Sequence, residues 1–229
     1  MKLSILIPCY NEENTILEIL NKLSLIKNSI NDLEIIVIDD GSNDKTKNIL
    51  EKNKNLYDHL ISSPINRGKG YSVKKGLEKS TGEFIFFQDA DLEYDPNDIL
   101  KFSNLIEKFD PDLIIGSRFN YSDYTRSHNI LNKLGNYFIT NLFNVLYNTT
   151  FTDIYSCYAC FKKKNLKISN LKTEGFEQHA EILCNVVKSG KKFYEVPINY
   201  NGRSIDEGKK IKFYHIFGVI FQIVIRRFF

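Results

Sequence analysis

The stretch FIFFQDADLEYDP, Phe84–Pro96, decides the reading of this chain. Four apolar residues, Phe84–Phe87, run straight into Asp89, Asp91, Glu93 and Asp95. An uninterrupted apolar run of this kind is how a strand buried on both faces reads. In a parallel sheet, the residues just past such a strand sit at the carboxyl edge, where ligands bind. Asp89 and Asp91 alternate with Ala90, so both can flank one point where the strand ends. Two carboxylates held close repel, and one takes up a proton unless a cation lies between them. A hard divalent ion with oxygen ligands suits that pair, and such ions usually also take substrate phosphates. The plainer alternative is an acidic capping turn, and Asp95 and Asp98, around Pro96-Asn97, are read that way.

On either side of this stretch the first half of the chain alternates strand and helix. LSILIP (3–8) and LEIIVID (33–39) are strands, a third lies near Leu60, a fourth spans Glu83–Gln88, and DLIIGS (112–117) is a fifth. Between them, helices are expected over Asn14–Ile26, from an Asn43 or Asp44 cap to about Asn53, over Gly68–Lys79 and over Asp98–Phe109. Short connections and βα alternation predict an α/β fold with a doubly wound, mostly parallel sheet. Reading past each strand then yields five loops at one edge. They are Pro8-Cys-Tyr-Asn-Glu12, Asp39-Asp-Gly-Ser42, Asn66-Arg-Gly-Lys-Gly70, Asp89-Ala-Asp91 and Gly116-Ser-Arg118. Taken singly they are ordinary turns and caps. Gly68-Lys69-Gly70 is no dinucleotide fingerprint, because the next glycine is Gly76.

The second half predicts a long helix over Asn129–Tyr147, a strand at Tyr158–Lys162, a helix over Phe176–Ser189 and a strand at 193–200. A polar loop, Asn201–Lys210, leads to an aromatic last helix. The 229 residues suit one large domain. The net charge of +3 gives no reason to expect nucleic acid. No apolar run reaches the roughly 18–20 residues of a membrane span. The basic, Phe- and Ile-rich 211–229 segment instead suits a helix lying in a headgroup layer, or one packed on the core. Four cysteines and no leader-like segment make a reducing cytoplasm the expected setting. Cys157 and Cys160 have CxxC spacing but no second pair for zinc, and are expected to be ordinary buried cysteines.

The ordered set PCYNE, IDDGSNDKT, NRGKG, GEFIFFQDADLEYDP and IIGSR resembles the inverting family 2 glycosyltransferases of GT-A fold. Within them it is most similar to the dolichyl-phosphate mannosyltransferase-like and polyprenyl-phosphate group. The likeness continues through TDIYSCYACFKK (152–163), EGFEQHAEIL (174–183) and YNGRSIDEGKKI (200–211). It implies a nucleotide-sugar site. Pro8, Tyr10, Asn11 and Glu12 hold base and ribose. Asp39 and Asp40, with Gly41 and Ser42, read the base, and Lys69 lies nearby. Asp89, Ala90 and Asp91 are the DxD motif holding Mg²⁺ or Mn²⁺, with Glu93 as a further metal contact. Arg118 matches the arginine after the fifth strand, and Arg203 and Lys209 match a basic pair near the diphosphate and acceptor. It also implies one transferase domain, with 1–118 binding the donor, 119–210 the acceptor, and 211–229 an amphipathic helix.

The residues agree with that chemistry. A Lewis-acidic metal with Arg and Lys beside it stabilises the charge growing on a departing diphosphate. Asp91, Arg118 and Arg203 are the expected catalytic residues. The expected acceptor is a polyprenyl (dolichyl or undecaprenyl) phosphate, met by peripheral contact at the cytoplasmic membrane face. A phosphate acceptor is already ionised, its second pKa being about 6, and needs no base. For a glycan or protein hydroxyl acceptor, Asp153 and Glu177 are the candidate bases. A sugar-1-phosphate nucleotidyltransferase is the alternative of another class, but it would place a glycine-rich basic loop where this chain has PCYNE. Ser156-Cys157-Tyr158 and the SIDEGKKI tail depart from the mannosyltransferase pattern, and both bear on the acceptor side.

Overall fold

Residues 2–30, 32–120, 123–126, 130–203 and 215–229 are described by a computed structural model. In chain order the elements are β1 (Leu3–Cys9), α1 (Ile16–Lys27), β2 (Leu33–Asp39), α2 (Thr46–Lys52), β3 (His59–Ser62), α3 (Lys69–Lys79) and β4 (Phe84–Phe87). They continue as α4 (Ile99–Phe109), β5 (Leu113–Ser117), α5 (Ile130–Tyr147), β6 (Ala159–Lys162), α6 (Gln178–Ser189), β7 (Phe193–Pro197) and α7 (His215–Phe228). The seven strands form one sheet in the order β3-β2-β1-β4-β6-β5-β7. The β1–β2, β2–β3, β1–β4 and β5–β7 pairs are parallel. β6 lies between β4 and β5 and is antiparallel to both. The expected sheet is therefore present with one strand reversed.

Alternation along the strands divides the core. Leu3, Ile5, Ile7, Phe84 and Phe86 pack on one face with α1 and α4 residues such as Leu20 and Phe102. Leu6, Ile85 and Phe87 pack on the other with Leu77, Phe143, Leu183, Val219 and Ile223 from α3, α5, α6 and α7. All four β4 side chains are buried. Each such burial is worth about 1.5–3 kcal/mol. Four together outweigh the repulsion of two carboxylates just beyond the strand, about 4 kcal/mol for unit charges some 4 Å apart near a surface. The apolar run thus anchors an acidic edge that would otherwise fly apart.

Local signals explain where the helices start. Asp44 Oδ1 accepts from the Thr46 N–H (2.9 Å) at the head of α2. Asp95 Oδ1 accepts from the Asn97 N–H (3.1 Å) ahead of α4, as its capping assignment required. α3 begins at a close approach between backbones. Gly70 and Tyr71 donate to the Glu174 carbonyl at 2.8 and 3.2 Å. A Cβ at Gly70 would lie 2.6 Å from the Glu174 carbonyl carbon. The glycines of NRGKG therefore seat the 174–175 loop against α3. Strand β7 stops at Pro197, short of the expected 200, although Ile198 still donates to Ser117 (3.1 Å) and Tyr200 bridges Tyr94 and Thr125.

Candidate active site

A cavity of about 540 Å³ opens along the carboxyl edge of the sheet. Pro8, Tyr10 and Glu12 line it after β1, Asp40 after β2, and Lys69 at the start of α3. Asp89, Ala90, Asp91 and Glu93 follow β4, Arg118 follows β5, and Arg203 follows β7. Opposite them, Leu131 and Ile139 of α5, Ile182 of α6 and Ile216 of α7 form an apolar wall. The cavity is thus charged at one end and greasy at the other.

The acidic end is laced with cations. Asp89 is ion-paired with Lys69, whose Nζ lies 3.7 Å from Cys157 Sγ. Burial alone would raise the Asp89 pKa, but the Lys69 ammonium holds it below the ordinary carboxylate range. Arg203 Nη2 donates to Asp91 Oδ2 (2.6 Å), and Arg203 N and Nε both donate to Glu93 Oε1 (3.1 Å). Its Nη1 lies 3.8 Å from Glu12 Oε2. Tyr200 donates from its hydroxyl to Glu93 Oε2 (2.7 Å). Despite Arg203, burial and then the charges of Asp89 and Glu93 push the Asp91 carboxyl up to about 7. Among the described residues, no three His, Cys, Asp or Glu side chains gather into a cage that would bind an ion by themselves. Two oxygen-bearing side chains under strong mutual repulsion nonetheless fit a hard divalent ion that takes its remaining ligands from phosphate and water. Glu93 is already committed to Arg203 and Tyr200.

Arg118 forms a fork with Asp153: Nε to Oδ2 at 2.7 Å and Nη2 to Oδ1 at 2.8 Å. Asp153 also accepts from the Arg118 N–H (3.1 Å) and from Asn136 Nδ2 (2.9 Å), and it is fully buried. Glu177 turns back on its own loop, accepting from the Gly175 N–H at 3.3 Å, and does not line the cavity. Asp153 is therefore fully engaged by Arg118 and Asn136, and Glu177 stands outside the cavity lining.

The loops after β1 and β2 are knitted together. Asn11 donates from its backbone to Ser42 Oγ (3.0 Å) and accepts at Oδ1 from the Asn43 N–H (2.8 Å). Asp39 Oδ1 accepts from the Ser42 N–H (3.1 Å). Gly41 has φ +72°, and a Cβ there would lie 2.5 Å from the Ile65 carbonyl carbon. Asp40 accepts from the backbone N–H groups of Arg67 (3.1 Å) and Gly68 (2.8 Å), and burial raises its pKa. Of this set Asp40 lines the cavity, while Asn11, Asp39, Gly41 and Ser42 support it from behind. Lys209, in the polar loop Asn201–Lys210, lies outside the described residues.

Cys157 and His179 also line the cavity, and neither was expected there. Because β6 is antiparallel, its start rather than its end lies at the carboxyl edge, and Cys157 comes with it. Cys160 faces the core, buried between Phe86 and Ile114 in the ladder. The two cysteines of the CxxC thus have separate surroundings, and all four cysteines are free thiols. His179 sits in the first turn of α6, within EGFEQHAEIL.

A doubly wound sheet with an acidic, cation-laced cleft across its carboxyl edge is the GT-A architecture. Glucosyl-3-phosphoglycerate synthase from Mycobacterium tuberculosis, solved with Mn²⁺, UDP and phosphoglyceric acid, shares it. The TM-score is 0.71 at 18% identity, over 99% of this chain and 78% of that one. TarS of S. aureus in complex with UDP-GlcNAc superposes with a TM-score of 0.63 at 18% identity, over 99% of this chain and 66% of that one. The chain belongs to glycosyl transferase family 2, whose family model matches residues 4–168. It is 27% identical over 205 residues to the low-salt glycan biosynthesis hexosyltransferase Agl6 of Haloferax volcanii, covering 88% of this chain but 48% of that protein. It is also 27% identical over 234 residues to protein MJ1222 of Methanocaldococcus jannaschii, covering 98% of this chain and 92% of that one. The chain is thus a glycosyltransferase, which sets the nucleotidyltransferase alternative aside. No described helix is long and apolar enough to cross a membrane.

Proposed function

We propose that this glycosyltransferase moves a sugar, with inversion, from a GDP- or UDP-sugar to a polyprenyl phosphate, as in the dolichyl-phosphate mannosyltransferase-like group. The observation that carries the proposal is the two-ended cavity, with carboxylates and cations facing an apolar wall of α5, α6 and α7. Complexes of the fold relatives with UDP, UDP-GlcNAc and Mn²⁺ support the donor and metal classes. Asp89 and Asp91 would hold Mg²⁺ or Mn²⁺, which when bound supplies Lewis-acid stabilisation of the leaving diphosphate. Pro8, Tyr10, Glu12 and Asp40 enclose the nucleoside. Lys69 and Arg203, released from their carboxylates, add positive charge where the diphosphate departs. Arg118, oriented by its fork with Asp153, faces the same cavity. An acceptor phosphate is ionised at neutral pH and asks for no base. That accords with Asp153 being held by Arg118 and with Glu177 lying outside the cavity lining.

In this reading 1–118 serves the donor, 119–210 the acceptor, and 211–229 adds a helix against the membrane. Phe217, Phe221 and Phe228 on α7, and Leu134 and Phe138 on α5, are exposed large apolar side chains. Arg227, in the last turn of α7, is exposed beside them. This suits peripheral contact at the cytoplasmic face. The test is incubation with membranes, Mn²⁺ and a panel of labelled GDP- and UDP-sugars. The expected outcome is a solvent-extractable labelled lipid that Asp91→Ala abolishes. Label confined to polysaccharide or protein would instead assign a hydroxyl acceptor.

A further inference from the structure

Glu93 fastens two loops of the cavity rim to each other. Its backbone carbonyl accepts from the Asn201 N–H (2.8 Å). Its Oε1 accepts from the Arg203 N–H and Nε, each at 3.1 Å, and its Oε2 from the Tyr200 hydroxyl at 2.7 Å. The neighbouring Tyr94 pairs with Tyr200 in an antiparallel bridge, with ring centroids 4.9 Å apart. The segment after β7 thus hangs on the turn after β4. That turn is strained. Leu92 has φ +60°, in the left-handed region that residues with a Cβ avoid. Its side chain packs against the core on the α1 and α4 side, and Asp91 Oδ1 accepts from the Glu93 N–H (3.2 Å). Strain of this kind persists where the surroundings fix it, and it clusters at functional sites.

Arg203 is held differently at its two ends. At the root, its backbone N–H and Nε both meet Glu93. At the tip, Nη2 donates to Asp91 Oδ2 (2.6 Å) and Nη1 lies 3.8 Å from Glu12 Oε2. The guanidinium is a rigid plane of five N–H donors, so fixing Nε restricts where both Nη groups can point. The Arg203 and Glu93 side chains are 21% and 11% exposed, so water competes weakly for these contacts. All four residues line the cavity. To serve a cation, Asp91 gives up one arginine contact, at Oδ2. Recruiting Glu93 to the same cation would set its carboxylate against three hydrogen bonds at once.

We infer that Glu93 is a positioning residue and not a metal ligand: it holds Arg203 by Nε and backbone so that the Nη groups can exchange Asp91 for the donor's diphosphate. This rests on the nucleotide-sugar reading above. The release of Arg203 is then partial, at the tip alone. Once the tip turns away, Asp91 Oδ2 is open to a divalent ion, and the same short movement carries positive charge to the phosphates. A planar fork binds phosphate oxygens in pairs, and a fork already fixed at Nε loses less freedom in doing so. One guanidinium, anchored by Glu93, thereby links the two aspartates to the diphosphate.

The experiment measures binding of UDP and GDP by calorimetry at saturating Mn²⁺, and follows whichever the native chain binds more tightly. It compares the native chain, Glu93→Gln, Arg203→Met and the double variant. Saturating metal keeps changes in ion affinity out of the comparison. Glu93→Gln is expected to weaken diphosphate binding roughly two- to tenfold when Arg203 is present. In the Arg203→Met background the same change should have no effect, because a positioning residue acts through its partner. An equal loss in both backgrounds overturns the inference and marks Glu93 as a metal contact or a general support of the site. So does a Glu93→Gln chain that binds as tightly as the native one. Should Glu93→Gln not fold, as read by thermal melts, Tyr200→Phe removes the other side of the clamp and takes its place with the same expectation. If the native chain binds neither diphosphate, the donor reading itself fails and this inference falls with it.

Discussion

At the scale of single residues, the site is a balance of charge that the bound state must rearrange. Asp91 is held among Asp89, Glu93 and Arg203, with its pKa raised from 3.8 to about 7. A carboxylate whose folded pKa is raised contributes stability that is full below about pH 4 and lost as pH rises through about 7. Asp91→Asn should therefore raise the metal-free melting temperature at pH 8 and leave it nearly unchanged at pH 4, as read by thermal melts. The same variant should lower transfer roughly 10²–10³-fold, the usual loss when a preorganised electrostatic contact is removed, as read from initial rates with labelled donor. His179 works in the other direction. Its folded pKa is depressed from 6.5 to about 4, so its neutral form contributes stability that is lost as pH falls across that window. His179→Gln should melt with a shallower loss between pH 6.5 and 4 than the native chain. Asp89 and Asp91 were legible as a pair from the alternation around Ala90. Their partners Lys69 and Arg203 were legible only as nearby positive charge, because a side chain 112 residues away leaves no local trace.

At the scale of elements, hydrophobic period identified every strand and α-helix among the described residues, with ends moved by a few residues. The direction of β6 was not legible. A short run such as Ala159–Lys162, buried throughout, fits a parallel or an antiparallel slot equally well. That one reversal carries Cys157 to the edge and sends Cys160 into the core. α7 is likewise positioned by contacts the pattern did not reveal. Arg226 is ion-paired with the fully buried Glu181 of α6, and Tyr147 donates to the Ile223 carbonyl at 3.0 Å. Glu181 also accepts from the Lys172 and Thr173 N–H groups, at 3.0 Å each. Breaking a buried pair costs roughly 3–5 kcal/mol, and these remaining donors put Arg226→Ala at the low end. We expect α7, and with it the Ile216 side of the cavity, to become the least protected helix of the variant. Hydrogen exchange over 215–228 should rise before that over α6.

At the scale of the whole molecule, α5 and α7 leave aromatic side chains exposed beside the apolar end of the cavity. If that face meets lipid, the chain should co-sediment with vesicles rich in anionic lipid, and less so as salt rises. Phe217→Ser with Phe221→Ser should weaken sedimentation while leaving Mn²⁺–nucleotide binding intact, because neither side chain lines the cavity.

The sequence by itself determined which residues are buried and which five loops reach the sheet's edge. Both follow from periods of 2 and 3.6 residues, which are properties of short segments. It thereby determined the α/β class and the placing of Asp89 and Asp91 at the rim, since a strand as apolar as Phe84–Phe87 forces whatever follows it there. Only the tertiary structure decided the order and direction of β5, β6 and β7. It also decided the pairing of Asp89 with Lys69 and of Asp91 and Glu93 with Arg203, the burial of Asp153 against Arg118, and the arrival of Cys157 and His179 at the cavity. Those depend on which distant segments pack together, and packing is a property of the folded surface that no local pattern encodes.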